Sequence, residues 1–290
     1  MGIENIGLVL EGGGLRGVYT SGVIRFFMDK GVKFPYVIGV SMGVCNGANY
    51  ISCQPERNRI VNIEFVNDPR YISYKRLFLK GELFGMEFIF NTIPFSLVPF
   101  DMNTFLKNET KFVIGVTDCE TGVPVYYEKS ELGIDSIAIF RATCSLPFLT
   151  KPVYYGGRIL MDGGLTDPIP IEKSIADGNK SNVLILTRPG NYRKKPSHLF
   201  ILARLLYPRL RGLYMALATR DKRYNDVLDR IDILEREGQA YIIRPERAIE
   251  AGRVERNKDK LFAAYNQGYK DALSGYEELE TFLRAQDINR

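Results

Sequence analysis

The stretch Ile6-Gly7-Leu8-Val9-Leu10-Glu11-Gly12-Gly13-Gly14-Leu15-Arg16-Gly17 passes from an unbroken apolar run into a cluster of glycines. A short apolar run bounded by glycine reads as a buried strand. Residues 15–28 then carry helical spacing and close at Lys30-Gly31, the composition of a helix end. Tyr36-Val37-Ile38-Gly39-Val40 is a second apolar run, and Ser41 opens a second helical stretch over residues 42–51. Two strands joined through a helix make a βαβ unit, which implies a parallel pair.

Further along, residues 111–117 and 123–127 read as a strand pair turning at Gly122, and residues 133–141 as a helix. Residues 158–161 form a short strand that delivers Asp162-Gly163-Gly164. Later strands are predicted at 182–187 and 241–243, with helices over 198–217, interrupted at Pro208, and over 257–285. This alternation predicts an α/β fold: a mainly parallel central sheet with helices on both faces. No internal repeat or low-complexity linker divides residues 1–290, so one domain is expected. Its motifs fall within about 7–187, and an extension of unassigned role covers about 190–290.

Composition narrows the functional classes. The chain has 290 residues, 45% of them hydrophobic and 25% charged, the ordinary balance of a globular protein. No apolar run reaches the roughly 18–20 residues that span a bilayer. The N-terminus has no basic region followed by a cleavable apolar stretch, so no signal peptide is expected, and no myristoylation motif is present. Four cysteines (Cys45, Cys53, Cys119, Cys144) lie apart without a C-x-x-C pair, which argues against a metal or redox site and fits a reducing cytoplasm. The net charge of +5 is mild, and its basic residues lack interleaved aromatics, so no nucleic-acid partner is expected.

Two loops carry the chemistry. Gly12-x-Gly14-x-x-Gly17 fits a dinucleotide-binding turn, but that reading needs an acid at the end of the next strand to hold a ribose. Val40-Ser41 occupies that place, and Asp29 comes before the strand. The alternative is an oxyanion site. Consecutive glycines let backbone N–H groups face a cleft, and the following helix adds its positive end. Gly12, Gly13 and Gly14 are the candidate donors, each worth roughly 3–4 kcal/mol in a transition state. Arg16 steadies the loop or attracts an anionic head group, and Gly17 closes it. The second loop, Gly39-Val40-Ser41-Met42-Gly43, places a serine between glycines at a strand-to-helix turn, the nucleophile-elbow pattern. Serving only as a helix N-cap is the plainer role for Ser41.

A nucleophilic serine needs a proton acceptor, and the chain has a single histidine, His198. The order Ser41, Asp162, His198 matches an α/β-hydrolase triad, yet His198 follows the basic loop Arg193-Lys194-Lys195-Pro196 and opens an amphipathic segment instead of ending a strand. The other acceptor is Asp162 itself, whose pKa burial would raise toward that of a useful base. Asp167 is a weaker stand-in.

With these residues in view, the chain resembles the patatin-like phospholipase family. Gly12–Gly17 looks like the family's glycine-rich loop with its Arg or Lys. Gly39–Gly43 looks like its nucleophile elbow and Asp162-Gly163-Gly164 like its D-G-G motif. Ala142-Thr143-Cys144-Ser145-Leu146-Pro147 resembles the segment often found upstream of that aspartate. The resemblance implies a three-layer α/β/α fold and a Ser41–Asp162 dyad. Gly12, Gly13 and Gly14 would form the oxyanion hole, with Arg16, Gly17, Gly39, Gly43 and Gly163 in support. It further implies hydrolysis of lipid esters, phospholipid or lysophospholipid, through an acyl-enzyme without metal or organic cofactor. The competing classes are a triad esterase, a non-catalytic lipid-binding protein and a dinucleotide-binding enzyme.

Residues 70–107 are dense in Phe, Leu, Ile and Tyr without clean periodicity. Tyr71, Tyr74, Leu77, Phe78, Phe84, Phe88, Ile89, Phe90, Phe95, Leu97 and Phe100 are candidates for an acyl pocket or lid, or for ordinary core. Residues 188–223 hold many Lys and Arg with Asp221 as the one acid. The run 199–217, with Arg204, Arg209 and Arg211, is either a core-packed helix with a solvated basic face or a face that docks on the inner, anionic membrane surface.

Overall fold

The computed structural model describes residues 5–133 and 136–288. Among them, eight strands form one sheet: β1 (Ile6–Leu10), β2 (Tyr36–Val40), β3 (Lys111–Asp118), β4 (Pro124–Glu128), β5 (Val153–Tyr155), β6 (Arg158–Asp162), β7 (Ser181–Ile185) and β8 (Ala240–Ile243). The order across the sheet is β5-β6-β3-β2-β1-β7-β8, with β4 paired to β3 off this path. The pairs β1–β2, β1–β7, β2–β3 and β7–β8 are parallel, whereas β4, β5 and β6 run antiparallel to their neighbours. The sheet is therefore mainly parallel, as the βαβ reading requires.

Period-2 alternation sends side chains of the central strands to opposite faces. Leu8 and Leu10 of β1, Val37 of β2, Phe112 and Ile114 of β3 and Val183 and Ile185 of β7 join one core. Val9, Ile38, Val113 and Leu184 point into another. Helices α1 (Val18–Lys30) and α2 (Met42–Ile51) and the helix Lys258–Ser274 cover the first face. The helices Ile171–Ala176 and Arg220–Arg236 cover the second. The result is three layers, α/β/α.

The helix Lys258–Ser274 is seated on α1 by two glycines. A Cβ on Gly22 of α1 would lie 1.9 Å from the Tyr265 carbonyl oxygen, and one on Gly268 would lie 2.0 Å from that of Tyr19. The two helices thus cross backbone against backbone, a contact that only hydrogen in place of a methyl allows.

Several elements differ from expectation. The helix predicted over 15–28 begins as the tight turn Gly14–Gly17 and becomes α1 at Val18. The run 198–217 parts around Pro208 as expected, into Leu199–Leu206 and Arg211–Ala218, whereas the run 257–285, expected to be continuous, is broken at Gly275 into Lys258–Ser274 and Tyr276–Ile288. Part of the helix expected over 133–141 falls on residues 134–135, and part of the N-terminal reading on residues 1–4. Both lie outside the described residues; the described helix is Ser136–Thr143. Arg220–Arg236 is a helix that pattern reading passed over, although Tyr224, Leu228, Ile231 and Leu234 make a buried stripe at helical spacing. Among the described residues, no helix is long and apolar enough to cross a membrane.

Candidate active site

Strand register decides which side chains can meet. Val40 of β2 pairs with Gly115 of β3, and the next β3 residue, Val116, pairs with Asp162 of β6. Ser41 and Asp162 are thereby brought to one level of the sheet, with a single strand between theirs. Both are buried, at 6% and 2% exposure, and both line one polar cavity.

Ser41 sits at φ 55°, ψ −130°, a left-handed conformation that costs a non-glycine residue energy and recurs at functional turns. Close packing holds it there. A Cβ on Gly43 would meet the Leu10 carbonyl oxygen at 2.5 Å, and one on Gly39 would lie 3.1 Å from the Gly43 carbonyl carbon. These glycines let α2 start directly against β1. Met42 also depends on a glycine: a Cβ on Gly17 would come 2.5 Å from its Cγ. The two sequence motifs therefore interlock. The Ser41 side chain makes no cap hydrogen bond to α2, so capping does not account for it.

In the glycine loop, Gly12 N–H donates to the Pro168 carbonyl at 3.4 Å, and the loop is also held by Leu15 N–H on the Arg253 carbonyl at 3.1 Å. Gly14 has φ +57°, and a Cβ there would strike Arg253. Among the described residues, the N–H groups of Gly13 and Gly14 have no protein acceptor, and both glycines line the cavity with Ser41. Gly12 lines it too, but its N–H is already engaged.

Asp162 Oδ1 accepts a hydrogen bond from Gly164 N–H at 2.8 Å. Gly163 permits this turn, since a Cβ there would lie 2.3 Å from the Gly115 carbonyl oxygen. Burial pushes the Asp162 pKa up, opposed in turn by the Ser41 hydroxyl, the Arg220 charge, the Gly164 N–H and the Arg253 charge. Among the described residues the Ser41 and Asp162 side chains form no hydrogen bond with each other. Such bonds are commonly loose before substrate arrives.

The other proton-acceptor candidates are placed elsewhere. His198 is exposed beside Phe200 and lines neither cavity that contains Ser41. Asp167 accepts from the Tyr126 hydroxyl, away from Ser41, and burial raises its pKa to about 6. At the end of β2, where a dinucleotide site would need its acid, stands Ser41.

Ser41 also lines a second, apolar cavity, which runs along α2. Of the aromatic and aliphatic candidates, Tyr71, Phe84, Ile89, Phe90 and Phe100 form its wall. Phe88 belongs to the core and half-buried Leu77 packs against it, while Tyr74, Phe78, Phe95 and Leu97 are exposed. Met86 and Met102 complete the lining on that side. Cys45 and Cys144, both free thiols with sulfurs 3.7 Å apart, lie on the same wall.

Residues that motif reading did not single out complete the site. The Thr143 hydroxyl accepts from Ser41 N–H and donates to the Gly115 carbonyl. Arg220 Nε donates to the Gly164 carbonyl at 2.9 Å. Glu11 is fully buried and accepts from Thr187 N–H and Oγ1 and from the Tyr224 hydroxyl. The only sequence signal for Thr143 is the Ala142–Pro147 segment. Arg220 carries none beyond its place in the basic stretch 188–223.

Fold and site together define a three-layer α/β/α protein with a serine elbow, a glycine loop and an aspartate converging at one end of a mainly parallel sheet. The sequence model of the patatin-like phospholipase family matches residues 8–175, more than half of the chain, and the chain belongs to that family. A second model, a domain of unknown function (DUF6363), matches residues 210–284. The chain is 27% identical over 196 residues to the uncharacterized protein YjjU of Escherichia coli (strain K12), covering 66% of this chain and 54% of that one. It is 27% identical over 192 residues to the lysophospholipase NTE1 of Debaryomyces hansenii, covering 61% of this chain and 11% of that one. It is 25% identical over 193 residues to the probable lipid hydrolase 463L of Invertebrate iridescent virus 6, covering 60% and 65%. The match therefore spans about half the length of YjjU and about a tenth of NTE1.

Proposed function

We propose that this chain is a serine acyl hydrolase that cleaves lipid esters, phospholipid or lysophospholipid, through a Ser41–Asp162 dyad. The observation that carries the reading is the place of Ser41 at the junction of an apolar cavity and a polar one. An acyl chain fits the first and the alcohol half of an ester the second, which leaves the ester carbonyl at Ser41. The family's name and the names of the lysophospholipase and lipid hydrolase relatives support the same class of chemistry.

Asp162 takes the hydroxyl proton as Ser41 Oγ attacks the ester carbonyl. The N–H groups of Gly13 and Gly14 receive the developing oxyanion. Breaking the carbonyl–alkoxy bond releases the alcohol, which takes the proton from Asp162, and leaves Ser41 acylated. A water then attacks the acyl carbonyl and gives a proton to Asp162. Cleavage of the Oγ–acyl bond frees the carboxylic acid and returns the proton to Ser41. Burial of Asp162 supplies the basicity that an ordinary carboxylate lacks.

Peripheral docking on an anionic membrane, at the inner surface of a reducing compartment, belongs to the same proposal. The helix Leu199–Leu206 turns Leu199, Ile201, Leu202, Leu205 and Leu206 to solvent, with Arg204 among them. An apolar face with cations beside it suits an interface of acyl chains and phosphates.

The test is intact-mass labelling with a fluorophosphonate ester. The wild type is expected to take one adduct. Ser41→Ala should take none, Asp162→Asn should label far more slowly, and His198→Ala should label like the wild type. A folded wild type that takes no adduct would overturn the reading.

A further inference from the structure

The polar half of the site holds an unusual excess of positive charge. Arg16, Arg188, Lys194, Arg220 and Arg253 line the cavity that contains Ser41, against two carboxylates, Glu11 and Asp162. Glu11 is engaged by Thr187 and Tyr224. Among the described residues, none of the five cations forms a salt bridge. Arg16 is 7% exposed and, among the described residues, its Nε has no hydrogen-bond partner. A buried guanidinium nitrogen left without a partner is costly unless an anion arrives to meet it. The crowding registers in the groups themselves. Burial and neighbouring cations push Lys194 down to about 7 and Arg220 to about 10, and burial with Arg188 brings Arg16 to about 10.

The cavity measures about 80 Å³, several times the roughly 10–15 Å³ that a single water needs. A neighbouring cleft shares Arg188, Lys194, Arg220 and Arg253 with it and adds Arg193 and Lys195 against one acid, Asp221. Arginine forks match phosphate oxygens well, and a phosphate monoester carries about −1.5 to −2 charges at neutral pH. A choline-headed diester carries no net charge and brings a cation into a cationic pocket.

Resting on the hydrolase reading, we infer that the polar cavity is a subsite for a phosphomonoester on the alcohol half of the substrate, so that lysophosphatidate-type esters are preferred to choline-headed and neutral ones. Four of the five cations lie at positions 188–253, beyond the glycine loop, serine elbow and D-G-G motif, so the preference is a property of this chain's later segments.

The experiment compares kcat/KM for 1-oleoyl lysophosphatidate, 1-oleoyl lysophosphatidylcholine and 1-mono-oleoylglycerol, each dilute in uncharged detergent micelles. The wild type is expected to favour lysophosphatidate at least tenfold over both others. In Lys194→Gln/Arg253→Gln that ratio should fall to within threefold, a readout that cancels any general loss of activity. Inorganic phosphate should compete with lysophosphatidate and leave hydrolysis of mono-oleoylglycerol much less affected. Comparable rates on all three esters in the wild type would overturn the subsite while leaving the hydrolase reading intact. Equal inhibition of all three esters by phosphate would also overturn it, in favour of a free-anion site. Absence of hydrolysis on every ester together with absence of the fluorophosphonate adduct would remove the hydrolase reading, and the subsite with it.

Discussion

Ser41 N–H donates to the hydroxyl of Thr143 at 2.8 Å, across a sequence separation of 102 residues. The same hydroxyl donates onward to the Gly115 carbonyl at 2.7 Å. One side chain thus satisfies the amide of a strained residue and ties the serine elbow to the neighbouring strand. Buried polar groups left unpaired cost roughly 1–3 kcal/mol each. Replacing Thr143 by Val keeps the shape and removes both bonds. Thr143→Val is expected to lose about 2–6 kcal/mol of stability in urea unfolding and to lower kcat, whereas Thr143→Ser should restore both. A Val variant with wild-type kcat and midpoint would show that the bond has no positioning role.

The acid limb of activity should report Asp162. Its carboxyl must be ionised to accept the serine proton, and its pKa is raised by burial. Activity is therefore present above that raised pKa and lost as pH falls through it. The groups that hold the pKa down are the Ser41 hydroxyl, Arg220, the Gly164 N–H and Arg253. Removing a positive charge destabilises the carboxylate, so Arg220→Gln should move the acid limb of kcat to higher pH. A limb that stays in place, or moves down, would mean that another group controls it.

Vesicle binding should depend on Ile201 and Leu205, which are 58% and 74% exposed. Fully burying such a side chain gains roughly 1.5–3 kcal/mol. Ile201→Glu/Leu205→Glu is expected to weaken co-sedimentation with anionic vesicles at least tenfold and to leave the melting temperature close to that of the wild type. Added salt should weaken wild-type binding as it screens the flanking arginines. Binding indifferent to both salt and the double substitution would remove this helix from any docking role.

Legibility in the sequence followed the range of the interactions. The limits of β1, β2 and α2 were readable because each is bounded by glycine or by the serine turn, so local pattern and local structure coincide. The helix Arg220–Arg236 was less legible, since its buried stripe of four residues is set among charges. Residues 70–107 showed no clean period because they divide among cavity wall, core and surface, and part of the segment, Phe88–Leu97, winds more widely than an α-helix around Pro94.

By itself the sequence determined the parallel βαβ start, the two glycine-framed turns and the short strand that ends in Asp162. Apolar runs and turn residues act over a few positions, so their consequences can be read in place. Only the tertiary structure decided that Ser41 and Asp162 stand at one level, that Thr143 holds the elbow, that His198 is exposed and lines neither cavity with Ser41, and that Arg220 and Arg253 line the polar cavity that contains it. Those outcomes depend on strand register and on helices packed from distant segments, and nothing local in the chain encodes which cations the packing will gather.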